Sequence, residues 1–328
     1  MNTVSPTLEP RRETGGVGTR LLLLSSSPHL HSPLTAQRAM YLVLATLLPV
    51  VGVAAYIFGL RVLRVVGASV LTALAVEALA VWARRRSPGR YLLDGSAAVT
   101  GLLLALTLPP SVPLWTVVIG ASIAILLGKH AFGGLGHNLF NPALVGRVFL
   151  LVTFPQILTD FGGPIRGVDA VTGATPLAAM AKGAGVPSYL ELLAGYHGGS
   201  LGETAIAALL LGGLILIAFQ VIDWRIPAGV LGSAALFAWA GGQDPLLHVL
   251  SGGLVLGAFF MATDWVTSPL TKWGRWIYAL GIGVMTMVIR LWGSYPEGVS
   301  FAILFFNMCT PLINRLTLPR PKEVSVRA

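Results

Sequence analysis

The chain has 328 residues, of which 55% are hydrophobic and only 11% charged, with a formal net charge of +9. Soluble domains carry about 25% charged residues, so this composition excludes a water-facing surface of matching size and points to an integral membrane protein. The basic excess lies beside apolar runs, which fits anchoring at the cytoplasmic face of a bilayer and gives no ground for a nucleic-acid partner.

In chain order, the first elements expected are a short cytoplasmic segment over 1–37 and spans over 38–58, 62–83, 95–108, 112–128 and 143–154. The patch Leu21–Leu24 is too short for a cleavable signal peptide, and Pro28 and Pro33 follow it. A polar segment over 155–203 separates this block from spans over 204–221, 226–240, 246–262, 276–291 and 299–313, and 315–328 forms a tail. The domain reading is therefore a first five-helix unit (38–154), an intervening loop (155–203), a second five-helix unit (204–314) and the tail. Several spans are short and interrupted by glycine, a pattern of helices that line a protein interior.

The basic residues set an orientation. With the N-terminus in the cytoplasm, Arg84, Arg85, Arg86, Lys129, Arg225, Lys272 and Arg275 fall on the inner side, while Arg61, Arg64, Arg166, Lys182 and Arg290 fall outside. Ten spans place both termini in the cytoplasm and the 155–203 loop on the outer face. Asp94-Gly95-Ser96 leads into one apolar run and Ser251-Gly252-Gly253 into another. Five spans per half is an odd number, so a repeat of this kind is inverted across the membrane.

The loop carries Asp169-Ala170-Val171-Thr172-Gly173-Ala174-Thr175. Gly173 and Ala174 leave room for a bulky group. Asp169 and Thr172 offer oxygens, and Thr175 a hydroxyl able to form a phosphoester. Pro176 is placed to start a helix. The plain reading is a turn before a helix. The pattern also resembles the flavinylation signal of membrane redox subunits, in which the last threonine carries FMN.

Charges inside apolar runs cost about 2.5–3.5 kcal/mol on insertion scales and need a partner or a role. Glu77 is read as paired or as an ion ligand, and Arg147 as paired with a carboxylate or facing an anionic flavin. Asp94 and Asp264 are read as caps or turn residues, or as contacts for a coupling ion. Asn138 and Asn141 flank a break and either satisfy its backbone or offer oxygens to Na⁺. His130 and His137 are read as interfacial, with a proton relay as the alternative. Trp273, Trp276, Tyr278 and Trp292 are read mainly as interface anchors. Cys309 is the only cysteine, which excludes an internal disulfide or a self-contained iron–sulfur site.

Seven segments together carry a broader resemblance. They are Ser25–His29, Leu93–Gly101, Phe132–Gly136, Asn141–Arg147, Gly199–Thr204, Ala262–Asp264 and Tyr295–Ala302. Over about Leu22 to Ile313 the chain is similar to the family of the D subunits of the Rnf ion-translocating oxidoreductases, related to the B subunits of the sodium-pumping NADH:quinone reductases. The resemblance implies an all-α polytopic membrane protein of about ten transmembrane helices, two inverted five-helix repeats folded like the urea-transporter channels, in the cell inner membrane. It implies membership of an oxidoreductase complex that couples electron flow between ferredoxin and NAD to Na⁺ or H⁺ movement. It implies covalent FMN on Thr175, room for riboflavin within the bundle, a flavin transferase, and partner subunits that include a second FMN carrier. Thr172 stands where serine is usual, Trp265 where proline is usual, and Asn314 where aspartate is usual.

Overall fold

The computed structural model describes residues 35–161, 175–181, 187–293 and 297–319. Among them every regular element is a helix. α1 (Ala36–Phe58) and α2 (Arg61–Ala83) are each 23 residues long. At 1.5 Å per residue each reaches about 35 Å, enough to cross a ~30 Å hydrocarbon layer. Gly59, at φ 75°, makes the reversal between them.

A short helix, α3 (Pro88–Leu92), precedes a break at Gly95, whose φ of 80° is a left-handed conformation suited to glycine. Asp94 Oδ1 accepts from Ser96 N at 2.8 Å and so starts α4 (Ser96–Leu106). α4 is buried along almost its whole length, which places it inside the bundle. α5 (Leu114–Leu126) follows, then a 3-10 turn over His130–Phe132 and α6 (Pro142–Thr153). Asn141 caps α6, its Oδ1 accepting from Ala143 N at 3.0 Å, and Pro142 sits where its missing N–H costs nothing.

Between the two blocks lie α7 (Pro155–Thr159), α8 (Pro176–Ala181) and α9 (Tyr189–Ala194). A capping box joins Ser188 and Glu191 at the start of α9. The second block holds α10 (Ile206–Ala218), α11 (Arg225–Ala240), α12 (Pro245–Leu250), α13 (Leu254–Leu256), α14 (Lys272–Trp292) and α15 (Val299–Thr317). A π-helical turn over Gly257–Met261 continues α13.

The expected span over 246–262 is corrected here. It is broken at Ser251-Gly252-Gly253, where the glycines adopt φ of 70° and 60° and the backbone leaves the helical path. The short helices α3, α7, α8 and α9 also lie where the sequence reading places only connections.

In the first block α2 packs on α4 and α5, and α5 on α6. In the second, α11 packs on α14 and on the α13–π-turn segment, and α14 on α15. Contacts between α1 and α10, and between α6 and α15, join the blocks. The outer faces carry apolar side chains: Leu71 is 69% exposed, Trp82 70% and Trp239 69%. A water-facing bundle would bury such groups. Among the described residues five helices are long and apolar enough to cross a membrane: α1, α2, α14, α15 and the 114–132 segment containing α5. The chain is a multi-pass membrane protein.

Candidate functional site

Of the seven residues singled out in the loop, Asp169, Thr172, Gly173 and Ala174, with Ala170 and Val171, lie outside the described residues. Thr175 is described, and it is buried at 2% exposure. Its Oγ1 accepts the Ala178 N–H at 3.2 Å and its carbonyl accepts from Ala179 N at 2.9 Å. The threonine therefore heads α8, as Pro176 at its first position leads one to expect. Two residues on, Leu177 fills the space beside Gly252, where a Cβ would approach Leu177 Cδ1 to 2.2 Å. The helix that Thr175 starts is thus seated on the break between α12 and α13.

A polar cluster lies at that break. Glu203, 2% exposed, accepts from Gly252 N at 2.6 Å and from Ser200 N at 3.2 Å. Arg290, from the end of α14, donates to the carbonyls of Ser251 at 2.8 Å and Gly252 at 3.0 Å, and also to that of His248. These carbonyls end a broken helix, and without a donor they would be costly inside a membrane. Arg147, 3% exposed, pairs with Glu297 just before α15. Arg147 Nη1 and Glu297 Oε1 have no hydrogen-bond partner among the described residues. On the surface nearby, the Tyr189 hydroxyl hydrogen-bonds Asp244 and holds its carboxyl below the usual range. The Ser188 N–H does the same for Glu191.

A second cluster occupies the first block. Glu77 of α2 is fully buried, and Lys129 Nζ lies 2.8 Å from its Oε1 and 2.7 Å from Ser96 Oγ. Ser96 Oγ in turn donates to Asp94 Oδ1 at 2.6 Å. His130 Nε2 is 3.1 Å from Glu77 Oε2. The structure thus brings Glu77 and Asp94 into one chain of contacts through Lys129 and Ser96. Lys129 is 2% exposed, which corrects its reading as a charge anchored at the membrane surface. Tyr278 is corrected likewise: it is buried and hydrogen-bonded to Asn307 at 2.7 Å, whereas Trp273 and Trp292 are exposed as interface residues are.

Lys129 and Ser96 also line a cavity of about 90 Å³ between the blocks, with Asn138, Asn141 and Asp264 on its wall. Asp264 accepts from Val266 N at 3.3 Å and Thr267 Oγ1 at 3.4 Å, a turn-forming role. Asn141 uses both ends of its amide on backbone, capping α6 and donating to Met261 O at 3.2 Å. Asn138 donates to Phe140 O at 3.2 Å, and its Oδ1 is buried without a partner. Among the described residues no group of three or more His, Cys, Asp or Glu is placed to hold a metal ion.

Comparison with known proteins decides the family. The profile of the NQR2, RnfD, RnfE family matches residues 23–323. The chain belongs to this family. It is 46% identical over 303 residues to the D subunit of the Na⁺-translocating ferredoxin:NAD⁺ oxidoreductase complex of Acetobacterium woodii, covering 91% of this chain and 94% of the relative. It is 41% identical over 318 residues to the D subunit of the proton-translocating ferredoxin:NAD⁺ oxidoreductase complex of Clostridium ljungdahlii, covering 91% and 95%. The D subunit of the ion-translocating oxidoreductase complex of Vibrio cholerae is 39% identical over 340 residues, covering 90% and 98%. In the sequence of this family member, Lys129 and Arg290 read only as membrane-side charges, and Glu203 and Glu297 only as parts of matching segments. Each falls at a helix end, where a charge looks like an ordinary anchor.

Proposed function

We propose that the chain is the membrane-spanning D subunit of an ion-translocating oxidoreductase, coupling electron transfer between ferredoxin and NAD to movement of Na⁺ or H⁺. The 39–46% identity to subunits of that name over nine-tenths of the chain supports the assignment. Thr175 carries FMN through a phosphoester. The observation that carries this step is the Thr175 hydroxyl itself: it ends the motif and heads a helix seated on the polar break of the second block. An ester oxygen retains lone pairs, so attachment is compatible with the Ala178 N–H bond that Thr175 Oγ1 accepts.

When bound, FMN supplies one- and two-electron redox chemistry that protein side chains of this set lack. The chain's own residues do the rest. Thr175 fixes the point of attachment, and Leu177 seats its helix against Gly252. Asp169, Thr172, Gly173 and Ala174 shape the approach for a flavin transferase. Arg147 serves Glu297 first, and its free Nη1 leaves one donor for an anionic ligand. Glu77, Asp94 and Asp264 contact the coupling ion. The unpartnered Asn138 Oδ1, on the same cavity wall as Asp264, supports that placement. The cavity of about 90 Å³ is smaller than the ~150 Å³ void that admits benzene. A riboflavin there needs its walls to move.

The repeated packing of α2/α4/α5/α6 and α11/α13/α14/α15 supports two five-helix repeats, inverted across the cell inner membrane, with both termini cytoplasmic and Thr175 on the outer face. Other subunits of the complex, including a second FMN carrier, complete the electron path. The alternatives are the B subunit of a Na⁺-pumping NADH:quinone reductase and a small-solute channel without redox activity.

The test is chemical. Produced with a flavin transferase and run on a denaturing gel, the wild-type band fluoresces as a flavin and Thr175→Ala is dark. Mass spectrometry finds the added mass on the peptide that contains Thr175. A dark wild-type band under those conditions refutes the electron-carrier reading.

A further inference from the structure

We propose that Lys129 is a tethered cation resident in a monovalent-cation site formed by Glu77 and Ser96, and that the translocated cation enters by exchanging with its ammonium group. The inference rests on the reading of Glu77 as an ion contact and adds the residue that governs access to it. Lys129 Nζ takes two oxygens, Glu77 Oε1 at 2.8 Å and Ser96 Oγ at 2.7 Å, with Asp94 behind the serine at 2.6 Å. An ammonium on a flexible stem is a compact point charge, the nearest side-chain likeness of a small monovalent cation.

Three further observations point to a ligand site. Glu77 Oε2 is buried and accepts no hydrogen bond, with His130 Nε2 at 3.1 Å as its ionic neighbour. His130, on the other side of Glu77, has both ring nitrogens buried without a hydrogen bond, although Nε2 stands 3.1 Å from Oε2. Lys129 and Ser96 also line a mostly apolar cavity on whose wall Asp264 and Asn138 lie. The ammonium therefore borders a space where these two side chains offer it polar contacts.

Charge dictates an exchange. Glu77 and Lys129, both buried, cancel inside a low-dielectric bundle, whereas Asp94 behind Ser96 is only half-buried and keeps access to solvent. A further cation added to the intact pair would leave an uncompensated positive charge, which such an interior opposes strongly. If the ammonium leaves as the ion arrives, the pocket stays neutral throughout. The charged and titratable groups at this pocket are Glu77 of α2, Arg84 just after α2, which donates to His130 O, Lys129 and His130 from the turn after α5, and Asp94 before α4.

The assembled complex, purified in detergent, provides the test. Thermal unfolding is followed in about 100 mM NaCl, LiCl or methylammonium chloride against choline chloride at equal ionic strength, for wild type, Lys129→Ala and Lys129→Ala/Glu77→Gln. Lys129→Ala should be the least stable in choline chloride and rise by roughly 5 °C in NaCl or methylammonium chloride. Wild type and the double variant should respond no more to these salts than to choline chloride. Equal responses in wild type and Lys129→Ala overturn the proposal. So does a Lys129→Ala complex that assembles in none of the salts while Glu77→Gln/Lys129→Met assembles, since the vacated site ought to accept a cation. Ion uptake into liposomes by Glu77→Gln separates the two ideas. If uptake is unchanged, the reading of Glu77 falls. If uptake is lost while Lys129→Ala shows no salt response, that reading stands and the exchange falls.

Discussion

Arg147 and Glu297 meet across 150 residues of sequence, one on α6 and the other just before α15. A buried pair costs desolvation on both sides, and removing one member strands the other. Arg147→Met should therefore cost about 3–5 kcal/mol, while Arg147→Met/Glu297→Met should return most of that loss. Thermal unfolding of the two variants measures the difference, and equal destabilisation of both would show that the pair is not the source. Residues of this kind are partly legible in the sequence. Glu77 and Arg147 stand out because each interrupts an apolar run. Their partners do not stand out: Lys129 lies 52 residues from Glu77 and follows the end of α5, where a basic residue reads as a membrane-surface charge. Thr175 is legible as a helix start from Pro176. Its seating on Gly252 is not, because 76 intervening residues separate Thr175 and Gly252.

Helices in this bundle approach closely where glycine removes the Cβ. At Gly146 of α6 a Cβ would come within 2.6 Å of Gly120 O and 2.9 Å of Ala124 Cβ, both on α5. Neither a backbone oxygen nor a methyl carbon can rotate away, so α5 and α6 would have to part. Gly146→Ala should destabilise by about 1–3 kcal/mol. Gly232→Ala on α11 meets nothing within 4 Å and should be neutral or stabilising by up to about 1 kcal/mol. Detergent-solubilised thermal unfolding of the pair checks the contrast; similar losses would rule out close packing as the cause. Most of the longer helices are legible to within a few residues, since an apolar run between polar turns has few alternatives in lipid. The span over 246–262 reads as continuous because three small residues hardly lower its hydrophobicity. What breaks it is backbone geometry at Gly252 and Gly253.

For the whole molecule, the charge bias makes a directional claim. With Cys309 replaced by serine, a membrane-impermeant maleimide added to intact cells should label Gln243→Cys and spare Ser87→Cys. Both positions are exposed, on opposite ends of the bundle in the proposed orientation. The reverse pattern would invert the molecule. Fold class is readable from composition alone, but the packing of one block on the other through α1–α10 and α6–α15 is not, because every apolar face looks alike in sequence.

Two helices packed against each other in the first block are too short to cross a bilayer. α4 has 11 residues and α6 has 12, about 16 Å and 18 Å of rise. Where water reaches both ends of these helices, the insulating slab is little more than half of a ~30 Å hydrocarbon layer. A voltage across the bilayer falls over that shorter path, so the local field is correspondingly steeper. A charge crossing here still gains ~2.3 kcal/mol per 100 mV, but over a distance that a side-chain swing and a single hop can cover.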